Sequence, residues 1–229
     1  MEKESKTICL GFNVYNRHII YPFLFNQKAK GVNFTTGGRV KGYWRTNLTY
    51  AYEYIDIDAD EGTPYYDYQG GYAVSSITPM IYSSTINSPI TPTRGSLYML
   101  SSKFSGGFLG GDMSFIKPRI EWSFFHPLVL NHVVGFHIEY QFIKVFGGSR
   151  IPIWEKFYLG GERSIRGYEI YSIRGDENIG GEKSFVFNTE YIIPIGGPLY
   201  AILFYDMGNA FTREQKVKFN NLYYSTGLE

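Results

Sequence analysis

The segment LGGERSIRGYEI, residues 159–170, gathers the side chains best suited to chemistry in a chain that is otherwise rich in aromatic residues. Its charged members include Glu162, Arg163 and Arg166. Arginine carries a planar fork of donors, so the chemistry on offer is charge-assisted hydrogen bonding to carboxylates. Three glycines permit positive φ or close approach of another segment: Gly160, Gly161 and Gly167. Left in water, these charges would form only a solvated loop tip.

The connection that contains this segment, residues 147–182, is far longer than a hairpin needs. Loops of more than about 12–15 residues are usually functional or disordered, and the many apolar and aromatic side chains of this one favour order. If the loop folds into a space of low dielectric, Arg166 needs anionic partners. Alternation along the next two strands provides Glu190 on a polar face and Asp206 as the polar exception on an apolar one.

Alternation with period two is the strongest pattern in the chain. In residues 44–54, one face carries Trp44, Leu48 and Tyr52 while the other carries polar and charged side chains such as Glu53. Residues 115–124, 134–142 and 184–191 repeat the pattern. Such segments are strands with one aromatic-rich face and one charged face.

The sequence predicts about ten strands and no convincing helix. The strands are expected at residues 7–16, 29–40, 43–57, 71–85, 96–105, 112–125, 132–146, 183–194, 199–211 and 222–229. Short turns alternate with longer polar loops, which is typical of an outer-membrane β-barrel. A soluble β-sandwich is the alternative, although dense aromatics opposite charge on so many strands favour the barrel.

Strand 199–211 departs from this pattern, because Tyr200, Ile202 and Phe204 share a face with Asp206. The face expected to point inward is therefore apolar apart from one carboxylate. We expect something to pack against it there.

Composition excludes several classes of function. The net charge is +1 and no basic block interleaves with the aromatics, so nucleic acid is not expected as a partner. The single cysteine, Cys9, excludes an internal disulfide, and the four histidines lack metal-ligand spacing. The first residues, MEKESKTICLGF, lack the features of a signal peptide. We therefore expect either a protein that stays inside the cell or a fragment of a longer chain whose beginning lies upstream.

Other candidate motifs are weak. DIDADEG, residues 56–62, resembles a calcium loop in its aspartate spacing, but its glycine comes one place late and a solvated loop is the simpler interpretation. No nucleophile elbow, phosphate loop or dinucleotide fingerprint is present, so neither enzymatic activity nor a cofactor is expected.

Four stretches together resemble the BamA family of outer-membrane protein insertases, in the bacterial surface antigen superfamily. They are FYLGGERSIRGYE at 157–169, SPITPTRG at 88–95, FNTEYIIPI at 187–195 and FYDMGNAF at 204–211. In that family the loop arginine lies inside the barrel and bonds a Glu and an Asp. The resemblance implies the same for Arg166, Glu190 and Asp206, with Gly167 and Tyr168 completing an Arg-Gly-Tyr tip that follows Gly160 and Gly161.

The resemblance also implies a function. Such a protein folds and inserts other β-barrel proteins into the outer membrane of a Gram-negative-type bacterium without nucleotide. Its partners would be the lipid bilayer, unfolded β-barrel clients, and periplasmic and lipoprotein assembly factors reached through POTRA repeats. A related barrel that secretes polypeptides or acts as a pore is the alternative.

The resemblance covers the middle of a barrel of about sixteen strands. Residues 1–229 are therefore interpreted as a partial outer-membrane β-barrel domain with a long inward-folding loop at 147–182. The signal peptide, the POTRA repeats, the first strands and the last two strands are expected to lie outside this sequence.

Overall fold

A computed structural model describes residues 8–175, 178–197 and 199–229. In these residues the chain forms an antiparallel sheet of eleven strands whose order follows the sequence, with one two-residue strand lying off this path. The predicted all-β class is confirmed. Among the same residues, no helix has the length and apolar character needed to cross a bilayer.

The strands are β1 (Ile8–Tyr21), β2 (Phe25–Lys41), β3 (Trp44–Asp58), β4 (Gly70–Ser84), β5 (Gly95–Ser105), β6 (Phe115–Pro127), β7 (Val133–Phe142), β8 (Lys144–Val145), β9 (Lys183–Gly196), β10 (Leu199–Phe211) and β11 (Tyr223–Leu228). Strand β8 pairs with β6, and β7 pairs with β9. In its described residues, the long connection between β8 and β9 contains a single turn of 3-10 helix at Ile153–Glu155.

The first hairpin differs most from the prediction. Residues 17–28 were expected to connect two strands, but β1 continues to Tyr21 and β2 begins at Phe25, leaving only a tight turn. The error arose because polar and apolar residues stop alternating here: Arg17 and His18 are both polar, and Ile19, Ile20 and Tyr21 are all apolar. Arg17 bonds Glu53 on one face, and Asn16 and His18 follow the apolar residues on the other.

The predicted strand 132–146 is divided in two. Strand β8 continues β7 in the same register against β6, since Arg119 pairs with Gln141 and Phe115 with Val145. The interruption at Ile143 lies beside Pro118, which has no backbone N–H to donate to the ladder.

The chain divides into two compact units. The first comprises residues 1–82, 100–118 and 143–155, and the second comprises residues 83–99, 119–142 and 156–229. Each is built from strands with an aromatic face and a polar face.

In the first unit an apolar face is exposed. The exposed face of β1 to β3 is apolar, with Phe12 67%, Phe34 45% and Tyr52 47% exposed, whereas Glu53 on the opposite face is only 4% exposed. Large exposed apolar faces signal contact with something other than water. The buried side includes Ala29, Ile55, Ile57, Val74 and Phe115.

The apolar face of the first unit ends at a row of polar side chains. Val14 lies opposite Val32, but two residues further on Asn16 lies opposite Lys30, and the next pairs are His18 with Lys28 and Lys28 with Asp56. The change occurs on three neighbouring strands, one pair later on β3, where Tyr54 lies opposite Lys30 and Asp56 opposite Lys28. It therefore marks a boundary between two environments rather than an irregularity of one strand.

The second unit shows the same two faces. Tyr98, Trp122 and Phe124 stack along the aromatic face, with ring centroids 6.3 Å apart in each successive pair. The polar face carries buried Ser123 and Asp206, together with half-buried Glu190. The long loop packs on this polar face through fully buried Ile165.

Candidate functional site

The second half of the long loop, residues 156–182, is an irregular antiparallel ladder. Its backbone bridges join Phe157 to Gly181, Leu159 to Ile173 and Gly161 to Ile165. The two ends of this segment are thereby held together, which brings the residues between them to a tip. The aromatic residues of the loop supply part of its packing, as where Tyr158 and Tyr171 meet edge to face at 6.3 Å.

Gly160 and Gly161 allow the chain to double back at the base of this tip. Both have positive φ, +104° and +88°, and a Cβ on Gly160 would lie 2.2 Å from the carbonyl oxygen of Glu169. The N–H of Gly160 donates to Ser164 Oγ at 2.8 Å, and the N–H of Gly161 donates to the Tyr168 carbonyl at 3.0 Å. A side chain at Gly160 would thus open the fold-back.

Arg166 at the tip binds Asp206 of β10 with three hydrogen bonds. Its Nε donates to Oδ2 at 2.8 Å, its Nη2 donates to Oδ1 at 2.8 Å, and its backbone N–H donates to Oδ2 at 3.0 Å. The two side-chain bonds form the planar bidentate geometry that guanidinium and carboxylate favour. Asp206 has no exposed surface, so this carboxylate is compensated by the loop rather than by water.

The remaining nitrogen of the guanidinium reaches further acids. Arg166 Nη1 donates to Glu190 Oε1 at 2.8 Å and to Glu229 Oε2 at 3.3 Å. One face of the guanidinium lies over the ring of Phe204, with Cζ 4.0 Å from the ring centroid. This is a close cation–π contact, which adds an apolar support to the charged ones.

These contacts fix the charge of the arginine. The hydrogen bond with Asp206, the nearby carboxylates of Asp206 and Glu190, and the hydrogen bond with Glu190 raise the pKa of Arg166 above its ordinary value, although burial acts in the opposite direction. Arg166 is therefore a permanent cation. Its charge can hold the loop in place.

Gly167 and Tyr168 place the tip against β11. Gly167 has φ +80°, and a Cβ there would lie 3.8 Å from that of Ser225. The Tyr168 hydroxyl donates to the Tyr224 carbonyl at 3.1 Å, and its ring meets Tyr223 edge to face at 5.5 Å. The positive φ of the glycine turns the chain so that the tyrosine reaches the strand.

Gly208 of β10 makes room for the residue before the arginine. A Cβ at Gly208 would lie 3.2 Å from Ile165 Cδ1 and 2.4 Å from the Phe185 carbonyl oxygen. Ile165 is completely buried. The Asp-Met-Gly sequence of this strand therefore combines a carboxylate for the arginine with a cleft for the isoleucine.

The structure thus brings together Arg166, Glu190 and Asp206, the three side chains selected from the sequence, with Gly160, Gly161, Gly167 and Tyr168 shaping the tip. Glu162 and Arg163 are exposed and line a cavity of about 280 Å³ beside His137. Sequence reasoning missed Phe204, Gly208 and Glu229 as members of the site. A signal for Phe204 was present, since the unusually apolar face of its strand predicted that something packs there.

The aspartates of the DIDADEG motif, the other candidate site, lie in and just after one strand. Asp56 and Asp58 of the DIDADEG motif lie in β3, and Asp60 follows its end. Within the described ranges, no group of three or more His, Cys, Asp or Glu side chains is arranged to hold a metal ion.

Comparison with known proteins gives concordant matches. Residues 6–229 match the model of the Omp85 superfamily domain. The outer membrane protein assembly factor BamA of Nitratidesulfovibrio vulgaris is 33% identical over 187 residues, which cover 78% of this chain and 24% of that protein. The sorting and assembly machinery component 50 homolog of Mus musculus is 35% identical over 132 residues, which cover 53% of this chain and 26% of that protein.

A solved structure shows the same fold. The crystal structure of BamA from Haemophilus ducreyi lacking POTRA domains 1-3 superposes with a TM-score of 0.82 at 18% identity, covering 96% of this chain and 52% of the other. The antiparallel sheet therefore has the fold of part of a transmembrane β-barrel, as predicted. The chain spans about a quarter of the length of the curated relatives named above. Since the matching family model extends over nearly the whole sequence, this chain belongs to the Omp85 superfamily.

Proposed function

We propose that this chain is part of an outer-membrane protein assembly factor, which folds β-barrel proteins and inserts them into the membrane without nucleotide. The observation that carries the proposal is the Arg166 site, built on a chain of the Omp85 superfamily. Relatives from a bacterium and a mouse both have assembly in their names. Their 33% and 35% identity to this chain supports a shared activity.

We also propose that this chain is one part of a larger domain, because it covers only part of the length of its relatives. Residues 1–229 would form part of one barrel domain, with the missing strands, the signal peptide and the POTRA repeats encoded elsewhere in a longer protein. The 24% share of the bacterial relative that this chain covers supports that view. Periplasmic and lipoprotein partners would be reached through the POTRA repeats.

Arg166, Glu190 and Asp206 would act as a latch for the loop, with Gly167 and Tyr168 fixing its tip and Gly160 and Gly161 its fold-back. A docked loop stiffens the wall formed by β9, β10 and β11. The seam of the barrel, formed by strands outside this chain, would then be the flexible place where a client strand pairs by β-augmentation. In this scheme the latch supports the reaction without touching the client.

The bilayer would lie against the aromatic face. Along β2, the exposed apolar residues Val32, Phe34 and Val40 lie within nine residues, close to the roughly 9–11 residues that a tilted strand needs to cross a bilayer. The polar row at Asn16 and Lys30 would mark one edge of the membrane. We place the protein in the outer membrane of a Gram-negative-type bacterium, in keeping with its bacterial relatives.

The alternative, a polypeptide-secretion transporter or pore of the same superfamily, is less well supported, because the named relatives are assembly factors. The deciding experiment reconstitutes the full-length protein in liposomes and follows the folding of an unrelated β-barrel protein. We expect faster client folding than in empty liposomes and weaker acceleration by the Arg166→Ala variant. Strong ion conductance after loop deletion, without any effect on client folding, would instead identify a pore.

A further inference from the structure

The first half of the long loop contains Glu155, a buried charged residue that lies outside the Arg166 site. Glu155 lies in the 3-10 turn Ile153–Glu155, where all three side chains are buried. Trp154 of this turn packs against Tyr72 of β4, with ring centroids 5.1 Å apart. This part of the loop belongs to the first compact unit, whereas Arg166 belongs to the second.

Glu155 bonds two lysines on neighbouring strands. Lys103 of β5 donates to Oε1 at 2.6 Å, and Lys117 of β6 donates to Oε2 at 3.0 Å. Lys117 also donates to the backbone carbonyl of Glu155 at 2.8 Å. Each carboxylate oxygen is therefore occupied by a different strand, so the turn is held by both strands at once.

The contacts continue to two more strands. Lys103 lies 3.8 Å from Glu53 of β3, and Glu53 accepts hydrogen bonds from Arg17 and Tyr15 of β1, each at 2.8 Å. Cations and carboxylates alternate along this row. It holds three cations and two carboxylates, so removing the charge of Glu155 would leave three cations with one carboxylate.

The charges are arranged in the opposite sense to those of the Arg166 site. At the tip, a cation on the loop binds carboxylates on the strands, while at residue 155 a carboxylate on the loop binds cations on the strands. The side chain of Glu155 is only 11% exposed, compared with 22% for Lys103 and 19% for Lys117. A partly buried carboxylate between two ammonium groups is fully stabilised only while both ion pairs are formed.

We propose that Glu155 is a second, independent anchor of the long loop, holding its first half against β5 and β6 when the Arg166 tip is released. The two anchors share no residue: the row around Glu155 contains Arg17, Glu53, Lys103 and Lys117, and the tip contacts Glu190, Asp206, Glu229 and Phe204. Release of the tip then moves the part of the loop beyond residue 155 and leaves the turn in place. This assignment concerns loop position and does not depend on the proposed assembly activity.

Chymotrypsin cleavage of the full-length protein in membranes, read by mass spectrometry, tests the assignment. Cleavage after buried Trp154 reports release of the turn, and cleavage after Tyr168 reports release of the tip. We expect the Glu155→Gln variant to increase cleavage after Trp154 by about tenfold to a hundredfold, because two partly buried ammonium groups lose the carboxylate that they share. The Arg166→Ala variant should increase cleavage after Tyr168 and leave Trp154 protected.

Two further variants distinguish charge pairing from shape. A triple variant, Glu155→Gln with Lys103→Gln and Lys117→Gln, removes the carboxylate and both ammonium groups, and should be cleaved after Trp154 less than Glu155→Gln alone. Lys117→Gln by itself removes one of the two pairs and should give an intermediate rate, which keeps the test available if Glu155→Gln does not fold. The matched control is Glu169→Gln, an exposed carboxylate of the same loop, for which no change is expected.

If Glu155→Gln is cleaved after Trp154 no faster than the wild type, Glu155 does not anchor the loop. Equal cleavage of the triple and single variants would overturn its electrostatic basis. Exposure of Trp154 by Arg166→Ala to the same extent as Tyr168 would overturn its independence from the tip.

Discussion

The guanidinium of Arg166 uses all three of its nitrogen atoms: Nε and Nη2 bond Asp206, and Nη1 bonds Glu190 and Glu229. We expect Arg166→Ala to destabilise the docked loop by about 3–5 kcal/mol, since it leaves a fully buried carboxylate without its partner. Arg166→Lys should recover only part of this, because an ammonium cannot span two carboxylates as a planar fork does. Chymotrypsin cleavage after Tyr168 measures both effects.

Arg163 provides the matched control for this prediction, because it is an exposed arginine three residues away on the same loop. Arg163→Ala should leave cleavage after Tyr168 unchanged. Equal resistance of Arg166→Ala and the wild type would show that the loop does not need the arginine to stay docked.

Phe204 tests the cation–π contact separately from the ion pairs. Phe204→Leu keeps an apolar side chain but removes the ring 4.0 Å from Arg166 Cζ, and should weaken docking by about 0.5–2 kcal/mol. Phe204→Tyr keeps the ring and should stay close to the wild type. If both variants are cleaved after Tyr168 at the same rate, the ring contributes only as bulk.

Gly208 is a position where one methyl group should be enough to undock the loop. Gly208→Ala places a Cβ 2.4 Å from the Phe185 carbonyl oxygen and 3.2 Å from Ile165. We expect a lower unfolding temperature, because backbone atoms cannot move aside cheaply. Gly11→Ala in β1 is the control, since its Cβ would meet nothing closer than 4.0 Å. A Gly208→Ala protein as heat-stable as Gly11→Ala would contradict the packing argument.

At the scale of elements, strands were predictable wherever one face is apolar and the other polar. That rule placed β3, β9 and β10 to within two residues of their observed ends. It failed on the β1–β2 hairpin, because polar and apolar residues no longer alternate there: Arg17 and His18 are followed by Ile19, Ile20 and Tyr21. A period-two rule cannot detect a strand where neighbouring residues on the two faces have the same polarity.

The residues of the Arg166 site were also predictable only in part. Glu190 and Asp206 could be selected because each is a carboxylate at a position where alternation implies burial. Gly208 could not, because its role depends on what the loop brings to it, and the apolar face of β10 indicated Phe204 only as part of a packing surface. Long-range contacts of this kind lie between segments some forty residues apart, and no local pattern encodes them.

The turn that holds Glu155 gives a prediction for pH. Burial raises the pKa of this carboxyl, but Lys103 and Lys117 outweigh it and lower the pKa to about 2. A depressed pKa contributes stability that is fully present above the ordinary carboxyl pKa near 4.5 and is lost as pH falls towards 2. The protection of residues 153–155 from hydrogen exchange, measured relative to the intrinsic rate at each pH, should therefore persist at pH 5 and fall between about pH 4 and pH 2. Glu155→Gln should remove that pH dependence, and a wild-type transition near pH 6 would contradict the assignment.

At the scale of the whole molecule, the three tryptophans should report which faces meet lipid. Trp44 is 43% exposed and Trp122 lies in the aromatic stack, whereas Trp154 is 7% exposed. Brominated acyl chains should quench single-tryptophan variants that keep Trp44 or Trp122, and spare one that keeps Trp154. Quenching of Trp154 as strong as that of Trp122 would show that the two faces have been assigned the wrong way round.

Family membership was accessible from sequence because four short motifs occur in the expected order, and three of them have a structural reason seen in the folded chain. The motif at 157–169 supplies the tip, the one at 187–195 supplies Glu190, and the one at 204–211 supplies Asp206 with its neighbouring cleft. Composition alone could show only that the exposed surface is aromatic.

The contacts of Arg166 also constrain the order of events during folding. Glu190 lies directly opposite Phe204, and Asn188 lies opposite Asp206, so the arginine bridges a diagonal of the β9–β10 ladder. A slip of one residue would turn one carboxylate to the other face, and a slip of two would move it by about 7 Å, beyond the reach of the guanidinium. The loop tip can therefore dock only after these strands have found their correct register. We therefore expect docking to be a late step in folding, since a docked tip requires that the strands behind it are correctly paired.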